Sequence, residues 1–257
     1  MDLKVLYAMN YTFAFITGTC IFSFLNVVVF RIPRKQSFVK GFSYCPACNH
    51  RLGVLDLCPI FSYLFLGGKC RYCKAEIPAR DTFVEFLGGL LAAGCMFRFG
   101  ELYSAVCVFA FFCILMVVAL LDLDTMEIED GCHVMILLIA GVSCFVMPEI
   151  SLISRLIGFL CISLPMLLVT LVIPGGFGGG DIKLMAVCGL VLGVKWILLA
   201  AFFGILTGGI YGMMLLATGK KERKAHFPFA PFLCLGMVIS VFWGDIIWNW
   251  YLGFLNV

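Results

Sequence analysis

Asp181 follows Gly178, Gly179 and Gly180 and leads, through Ile182 and Lys183, into an apolar run. A carboxylate so placed in a greasy chain marks a site or a pairing, because at a helix centre in lipid it costs roughly 2.5 to 3.5 kcal/mol. Asp122 is a second one, since Ala119, Leu120 and Leu121 precede it without a break. Asp124 lies two residues on, about 200° around a helix, so the two cannot share one face and Asp122 is the deeper. Glu127, Glu129 and Asp130, in the same acidic stretch, are expected to form a solvated loop. Two carboxylates converging at one membrane face cannot both ionise comfortably. Sharing a proton, one serves as general base on a water and the other as general acid toward a peptide carbonyl. That suffices for peptide hydrolysis without a metal or a covalent intermediate. The glycines permit close approach of an extended substrate, and irregular backbone at that depth is tolerated only where it lines a cavity. An ion-coupled transporter using the paired aspartates as binding groups would employ the same broken-helix geometry.

A second chemistry is written in Cys45-Pro46-Ala47-Cys48 and, after 21 intervening residues, Cys70-Arg71-Tyr72-Cys73. Each two-residue spacer lets both sulfurs of a knuckle turn toward one ion, which predicts a four-thiolate tetrahedral zinc site. Such a site is structural, because four thiolates leave no position for water. It would staple a loop too small for a large core of its own. Redox or unliganded thiols are the alternative, and a reducing compartment favours the metal. The remaining cysteines, such as Cys95, Cys107, Cys113, Cys144 and Cys161, are expected to be small core hydrophobes.

The elements that must position these groups are membrane helices. Of 257 residues 63% are hydrophobic and only 13% charged, with a mean hydropathy of +1.08, against an apolar share of about 45 to 50% in soluble domains. Spans of roughly 17 to 25 apolar residues are expected at 5–30, 82–99, 103–121, 132–148, 152–173, 196–217 and 229–252. A shorter one at 184–194 brings the total to eight. The first is expected to be a retained anchor rather than a cleaved signal, since it has Asp2 and Lys4 near its start and no small-residue cleavage box. Arg31, Arg34, Lys35, Lys40, Arg51, Lys69, Arg71, Lys74 and Arg80 crowd the one long polar loop, and Lys220, Lys221, Arg223 and Lys224 precede the last span. By the positive-inside rule both loops are cytoplasmic. Eight spans with the amino terminus outside put Asp122 and Asp181 on that same side. The expected fold is thus an all-α polytopic membrane protein of about eight transmembrane helices with a small cytoplasmic zinc-ribbon-like loop domain. Its divisions are a first transmembrane helix (1–30), a four-cysteine loop domain (31–81) and a membrane-embedded bundle (82–257).

The run Gly178-Gly179-Gly180-Asp181-Ile182-Lys183 resembles the G-x-G-D-x-K signature of the type 4 prepilin peptidases, bifunctional membrane enzymes of the aspartyl class. Ser23-Phe24-Leu25-Asn26-Val27-Val28-Val29-Phe30-Arg31-Ile32-Pro33 is similar to that family's first-span ending. Asp56-Leu57-Cys58-Pro59 and Ser62-Tyr63-Leu64 stand between the cysteine pairs, and Arg80 and Val84-Glu85 after them, as in the family. Asp122 with Leu123, Asp124 and Ile128 resembles the first catalytic motif, and Pro228-Phe229-Ala230-Pro231-Phe232-Leu233 the last-span motif. Three positions depart from the pattern. Glu129 stands where proline commonly precedes the acidic residue, Phe22 where glycine usually precedes Ser23, and Ala230 where glycine usually separates the last-span prolines.

The resemblance implies cleavage of the basic leader from type 4 prepilins and pseudopilins at the cytoplasmic face of the bacterial inner membrane. N-methylation of the new terminal amine with S-adenosylmethionine would follow. It implies Asp122 and Asp181 as the catalytic pair, Gly178, Gly180 and Lys183 as supporting residues, and Cys45, Cys48, Cys70 and Cys73 as the zinc set. Lys183 is expected to orient or tune Asp181, or to snorkel as an anchor. No residue is assigned to the methyl donor. Anionic lipid headgroups are the expected partners of the basic loops, at about 1 kcal/mol per basic residue, and the net charge of +3 gives no support for nucleic acid.

Overall fold

A computed structural model describes residues 3–37, 41–173, 175–218 and 227–254. Lys40 and the Lys220, Lys221, Arg223 and Lys224 cluster, which carry part of the charge asymmetry, lie outside the described residues. Nine α-helices occur among those described: α1 (Leu3–Arg31), α2 (Phe61–Phe65), α3 (Ala79–Phe99), α4 (Leu102–Thr125), α5 (Asp130–Val146), α6 (Leu152–Cys161), α7 (Ser163–Val172), α8 (Gly179–Ala217) and α9 (Ala230–Phe254). Six helical segments are long and apolar enough to cross a membrane, α6 and α7 together forming one of them, and α5 is a shorter apolar helix. The protein is a multi-pass membrane protein.

The chain divides into two compact units, Met1–Phe109 and Ala110–Val257. In the first, α1 packs on α3 with small residues at the contact. A Cβ at Gly18 would strike the carbonyl of Gly88 on α3, the close approach that lets membrane helices gain dispersion contacts where no hydrophobic drive exists. The sequence of α3 explains its ends, since it begins after Pro78 and stops at Gly100, whose φ of 67° forms a left-handed cap with its N–H on the carbonyl of Met96. Between α1 and α3 lies the polar loop, with a 3-10 turn at Val54–Asp56 and the short α2.

The second unit is organised around α8. At 39 residues a continuous helix would run to about 58 Å, nearly twice a hydrocarbon core. It is interrupted at Gly193, whose backbone (φ 67°, ψ 178°) is non-helical and is accessible to glycine alone. The two arms, 179–192 and 194–217, correspond to the short 184–194 run and the 196–217 span expected from hydropathy. The interruption leaves backbone groups without helical partners, and Ser154 and Arg155 of α6 take them. The Oγ of Ser154 accepts from the N–H of Val194 at 3.1 Å. The guanidinium of Arg155, 2% exposed, donates to the carbonyls of Leu190 at 2.8 Å and Val191 at 3.3 Å. It also donates to Ile150, Ser143 and Met147 carbonyls and to the Ser143 Oγ. The same α6 presses its Gly158 against Gly189, where any Cβ would collide with backbone.

The expected single span at 152–173 is two helices, with the break at Ile162 (φ −109°, ψ −43°). Pro165, three residues on, has no N–H to give the preceding turn and crowds its carbonyl. The cysteines also divide more finely than expected: Cys95, Cys107 and Cys113 are buried, while Cys144 is exposed and Cys161 intermediate, because the latter two stand on the outward faces of α5 and α6. Arg155→Met is expected to lower stability by at least about 3 kcal/mol, since several buried carbonyls lose their donor together. Ser154→Ala should cost about 1 kcal/mol, and thermal unfolding of the detergent-solubilised protein measures both.

Candidate active site and metal centre

Asp122 lies one turn before the end of α4 and is 6% exposed, whereas Asp124 is exposed, as the angular argument requires. Its Oδ2 accepts from the N–H of Ala230 at 2.9 Å, the first residue of α9. That amide is one of the four orphan donors at a helix start, and the positive end of the α9 dipole favours an anion there. Ala230 is fully buried, so the Pro228-Phe229-Ala230-Pro231 motif acts as the seat of Asp122.

Asp181 sits in the first turn of α8, whose N-cap is Gly178, and its carboxylate takes a bond from the Gly178 N–H, half of a capping box. A side chain at 178 would stand 3.0 Å from Asp181 Oδ2, and one at 180 would press on Ile128 at 3.2 Å, while Gly179 faces open space. Asp181 therefore sits in the opening turn of its own helix, while Asp122, in the last turn of α4, reaches the amino end of α9, and the charge of Asp122 acts on Asp181.

Lys183 is exposed and carries an ion pair. Its Nζ lies 2.8 Å from Asp130 Oδ1, so the lysine pairs with the first residue of α5 rather than with Asp181, and Asp130 is an ion-pair partner rather than free loop. The residue that reaches the glycine run is His133, unremarked in the sequence. Its Nε2 is 3.2 Å from the carbonyl of Gly180, and because a carbonyl only accepts, Nε2 carries the proton. Its buried Nδ1 has no hydrogen-bond partner and stands 3.6 Å from Asp130 Oδ1. The available signal was a histidine three residues after Asp130 at the start of an apolar helix.

The four sulfurs of Cys45, Cys48, Cys70 and Cys73 lie within 4.8 Å of one another, with Cys45 and Cys73 3.8 Å apart. A tetrahedron of Zn–S bonds has edges of about 3.8 Å, so the donor set and spacing fit zinc. The two halves are built alike. Asn49 (φ 56°) and Lys74 (φ 61°) follow the second cysteine of each pair, the bridges Tyr44–Arg51 and Lys69–Glu76 close each knuckle, and the N–H of Asn49 and Lys74 return to the carbonyls of Cys45 and Cys70. The N–H groups of Cys73 and Tyr72 draw the Cys70 thiol down to about 7. Cys73, although the Ala75 N–H opposes the change, is pushed up to about 11 by burial and by its three sulfur neighbours. Four sulfurs this close cannot all ionise without a cation among them.

Residues 16–99 match the Bacterial Peptidase A24 N-terminal domain and residues 107–213 the Type IV leader peptidase family. The Prepilin leader peptidase/N-methyltransferase of Bacillus subtilis (strain 168) is 34% identical over 241 residues, spanning 93% of this chain and 96% of the relative. The chain belongs to the type IV leader peptidase family. Two further family members, each described as Prepilin leader peptidase/N-methyltransferase, are 28% identical: one from Aeromonas salmonicida (strain A449), over 94% of both chains, and one from Legionella pneumophila, over 90% of this chain and 91% of the relative. No solved structure matches the chain. Membership in a peptidase family leaves the transporter reading of the paired aspartates without support.

Two measurements separate the contacts around these sites. The Lys183–Asp130 pair is 61% and 78% exposed, so Lys183→Met should change stability by less than about 1 kcal/mol. His133→Ala, which strips the Gly180 carbonyl of its partner, should cost about 1 to 3 kcal/mol, and thermal unfolding ranks the two. Elemental analysis should find one zinc per chain, lost in the Cys45→Ser, Cys70→Ser variant.

Proposed function

We propose that the chain is a membrane aspartyl endopeptidase that removes the leader from type 4 prepilins and pseudopilins, with Asp122 and Asp181 as its catalytic pair. Family membership and the near-full-length likeness to prepilin leader peptidase/N-methyltransferases support the activity. The observation that supports the site is that Asp122 is held by the first amide of α9 and Asp181 lies in the opening turn of α8, with the charge of one acting on the other. The helix ends favour negative charge and mutual proximity opposes a second one, so the pair holds a single proton between them. The ionised member takes a proton from water, whose oxygen attacks the scissile carbonyl carbon. The protonated member gives its proton to the carbonyl oxygen. As the tetrahedral adduct collapses, the C–N bond breaks and the proton taken from water passes to the departing amine. Gly178 keeps a side chain away from the Asp181 carboxylate, and Gly180 leaves room for Ile128. Lys183 and Asp130 tie α8 to α5 beside it.

The division of labour we infer is a first transmembrane helix at 1–30, a zinc-stapled loop at 31–81 and the peptidase bundle at 82–257. Zinc held by Cys45, Cys48, Cys70 and Cys73 would fix the loop and take no part in bond cleavage. S-adenosylmethionine, when bound, would supply an electrophilic methyl group on sulfur. Its acceptor would be the freed amine of the cleaved prepilin. Both active regions are assigned to the cytoplasmic face of the inner membrane, with the amino terminus outside and anionic lipids against the basic loops, on the strength of the positive-inside rule.

Asp122→Asn and Asp181→Asn should each lower prepilin cleavage by at least about a thousandfold, with the protein still folded by thermal unfolding. A mass spectrum of the processed substrate reads the cleavage position and the added methyl together. Full cleavage by either variant would remove the pair assignment.

A further inference from the structure

Phe61, Leu64 and Phe65 of α2 are 59%, 66% and 86% exposed. At i, i+3 and i+4 they form one side of the helix, while Ser62, Tyr63 and Leu66 turn inward between the loop, α1 and α3. With five residues, α2 is an excursion between Cys58 and Cys70 that takes no part in either cysteine knuckle. The chain enters it through Ile60, at a φ of 62°, and turns back at Gly67 and Gly68, at 61° and 69°. Large apolar side chains gathered on one exposed face mark a surface that something covers.

Two bonds to the membrane helices fix how deep α2 lies. Oε2 of Glu85 accepts at 2.8 Å from the N–H of Ile60, the residue that opens α2. Glu85 belongs to the span Ala79–Phe99 and stands one turn beyond Asp81, about 6 Å farther along α3. The carbonyl of Asp81 in turn accepts at 3.1 Å from Asn26, which lies inside the first span, five residues before its basic end at Arg31. Arg31 and Arg80 place the headgroups at the ends of the two spans. The start of α2 is therefore a turn inside that level, beside the apolar part of α3 and not above it. Phe83 and Phe86, flanking Glu85 on α3, are exposed, as lipid-facing positions are.

The seat is held against a cost. The left-handed backbone of Ile60 is one that β-branched residues avoid, and a carboxylate near lipid is expensive without a partner. The Glu85–Ile60 bond answers both, since the amide serves the carboxylate and the carboxylate fixes the turn. The flanking residues match the depth. Lys69 and Lys74 follow α2 and are exposed, and interfacial helices carry Phe and Leu on the sunken side with Lys at the rim, reaching about 5 to 10 Å into the headgroup and acyl boundary. A soluble partner would have to pass the headgroups to reach this face, whereas lipid is already there.

We propose that α2 is an interfacial membrane anchor, with Phe61, Leu64 and Phe65 lying among the upper acyl chains of the leaflet beside the loop. The four-cysteine loop is thereby held on the bilayer at a third point, besides its covalent joins to α1 and α3. Lipid covers the outer side of α2 as the loop and the two helices cover the inner. The inference concerns the seating of the loop and is independent of the reaction proposed for the aspartates.

The test uses the full chain in nanodiscs of phosphatidylethanolamine and phosphatidylglycerol. Phe65→Trp adds one indole to the four native ones, and subtracting the parent's fluorescence isolates its emission. Lipid brominated near the glycerol end of its acyl chains should quench that emission at least about twofold, and more than lipid brominated near the methyl end, while iodide in the water has little effect. Quenching by iodide and not by brominated lipid overturns the proposal. Independently, benzoylphenylalanine introduced at Leu64 should, on irradiation, add the mass of a lipid to the peptide that contains position 64. An adduct with residues 110–254, with a second copy of the chain or with added prepilin identifies a protein occupant and overturns the anchor. Zinc content and unfolding midpoint report whether each variant is folded, and either one decides the question alone.

Discussion

In lipid every backbone N–H and C=O must find its partner inside the protein, and the longest helix interrupts its own ladder at Gly193. The second unit is arranged so that this interruption is tolerated. Arg155 donates to carbonyls on the near side of the break and Ser154 accepts from the amide beyond it. A buried guanidinium with no carboxylate beside it would be expensive. Here it faces the carbonyl ends of α5 and of the first arm of α8, where the helix dipoles present negative charge. The arginine and the break thus stabilise each other.

What the break provides is two helices from one apolar run. The first arm carries Asp181 in its opening turn and packs on α6 through Gly189, while its Gly180 carbonyl is held by His133 of α5. The second arm lies against α9, where Gly236 meets the carbonyl of Ala200 and Leu233 covers Gly204. That contact seats the start of α9, whose Ala230 amide holds Asp122. Both aspartates therefore depend on the same helix being divided at one residue. Asp181 opens its own helix and Asp122, in the last turn of α4, reaches the opening of α9, and the positive end of a helix dipole lowers the cost of having charge near lipid.

The first unit solves a different problem. A polar loop of this length has too little apolar surface to hold itself, and its order comes from two like knuckles around four sulfurs and from side chains clamped to backbone. Glu85 binds the Ile60 amide and Asn26 the Asp81 carbonyl, so α1, α2 and α3 are tied to the loop at defined points. These ties border a cavity of about 690 Å³.

The sequence alone determined the class, the helices and the candidate groups. Apolar run lengths set the spans, including the short one at 184–194, because bilayer thickness converts directly into residue number. The paired Cys-x-x-Cys spacing set the four-cysteine cluster, because two intervening residues fix the knuckle. The angular offset of Asp122 from Asp124 correctly separated buried from exposed, because helical geometry is local. Only the tertiary structure decided the rest. The partner of Lys183 is Asp130, the seat of Asp122 is the Ala230 amide, and His133 holds Gly180; each joins residues far apart in the chain, and no local spacing encodes such a meeting. Arg155 was the least legible, since a lone arginine in an apolar helix suggests a surface anchor until the carbonyls it serves are brought around it.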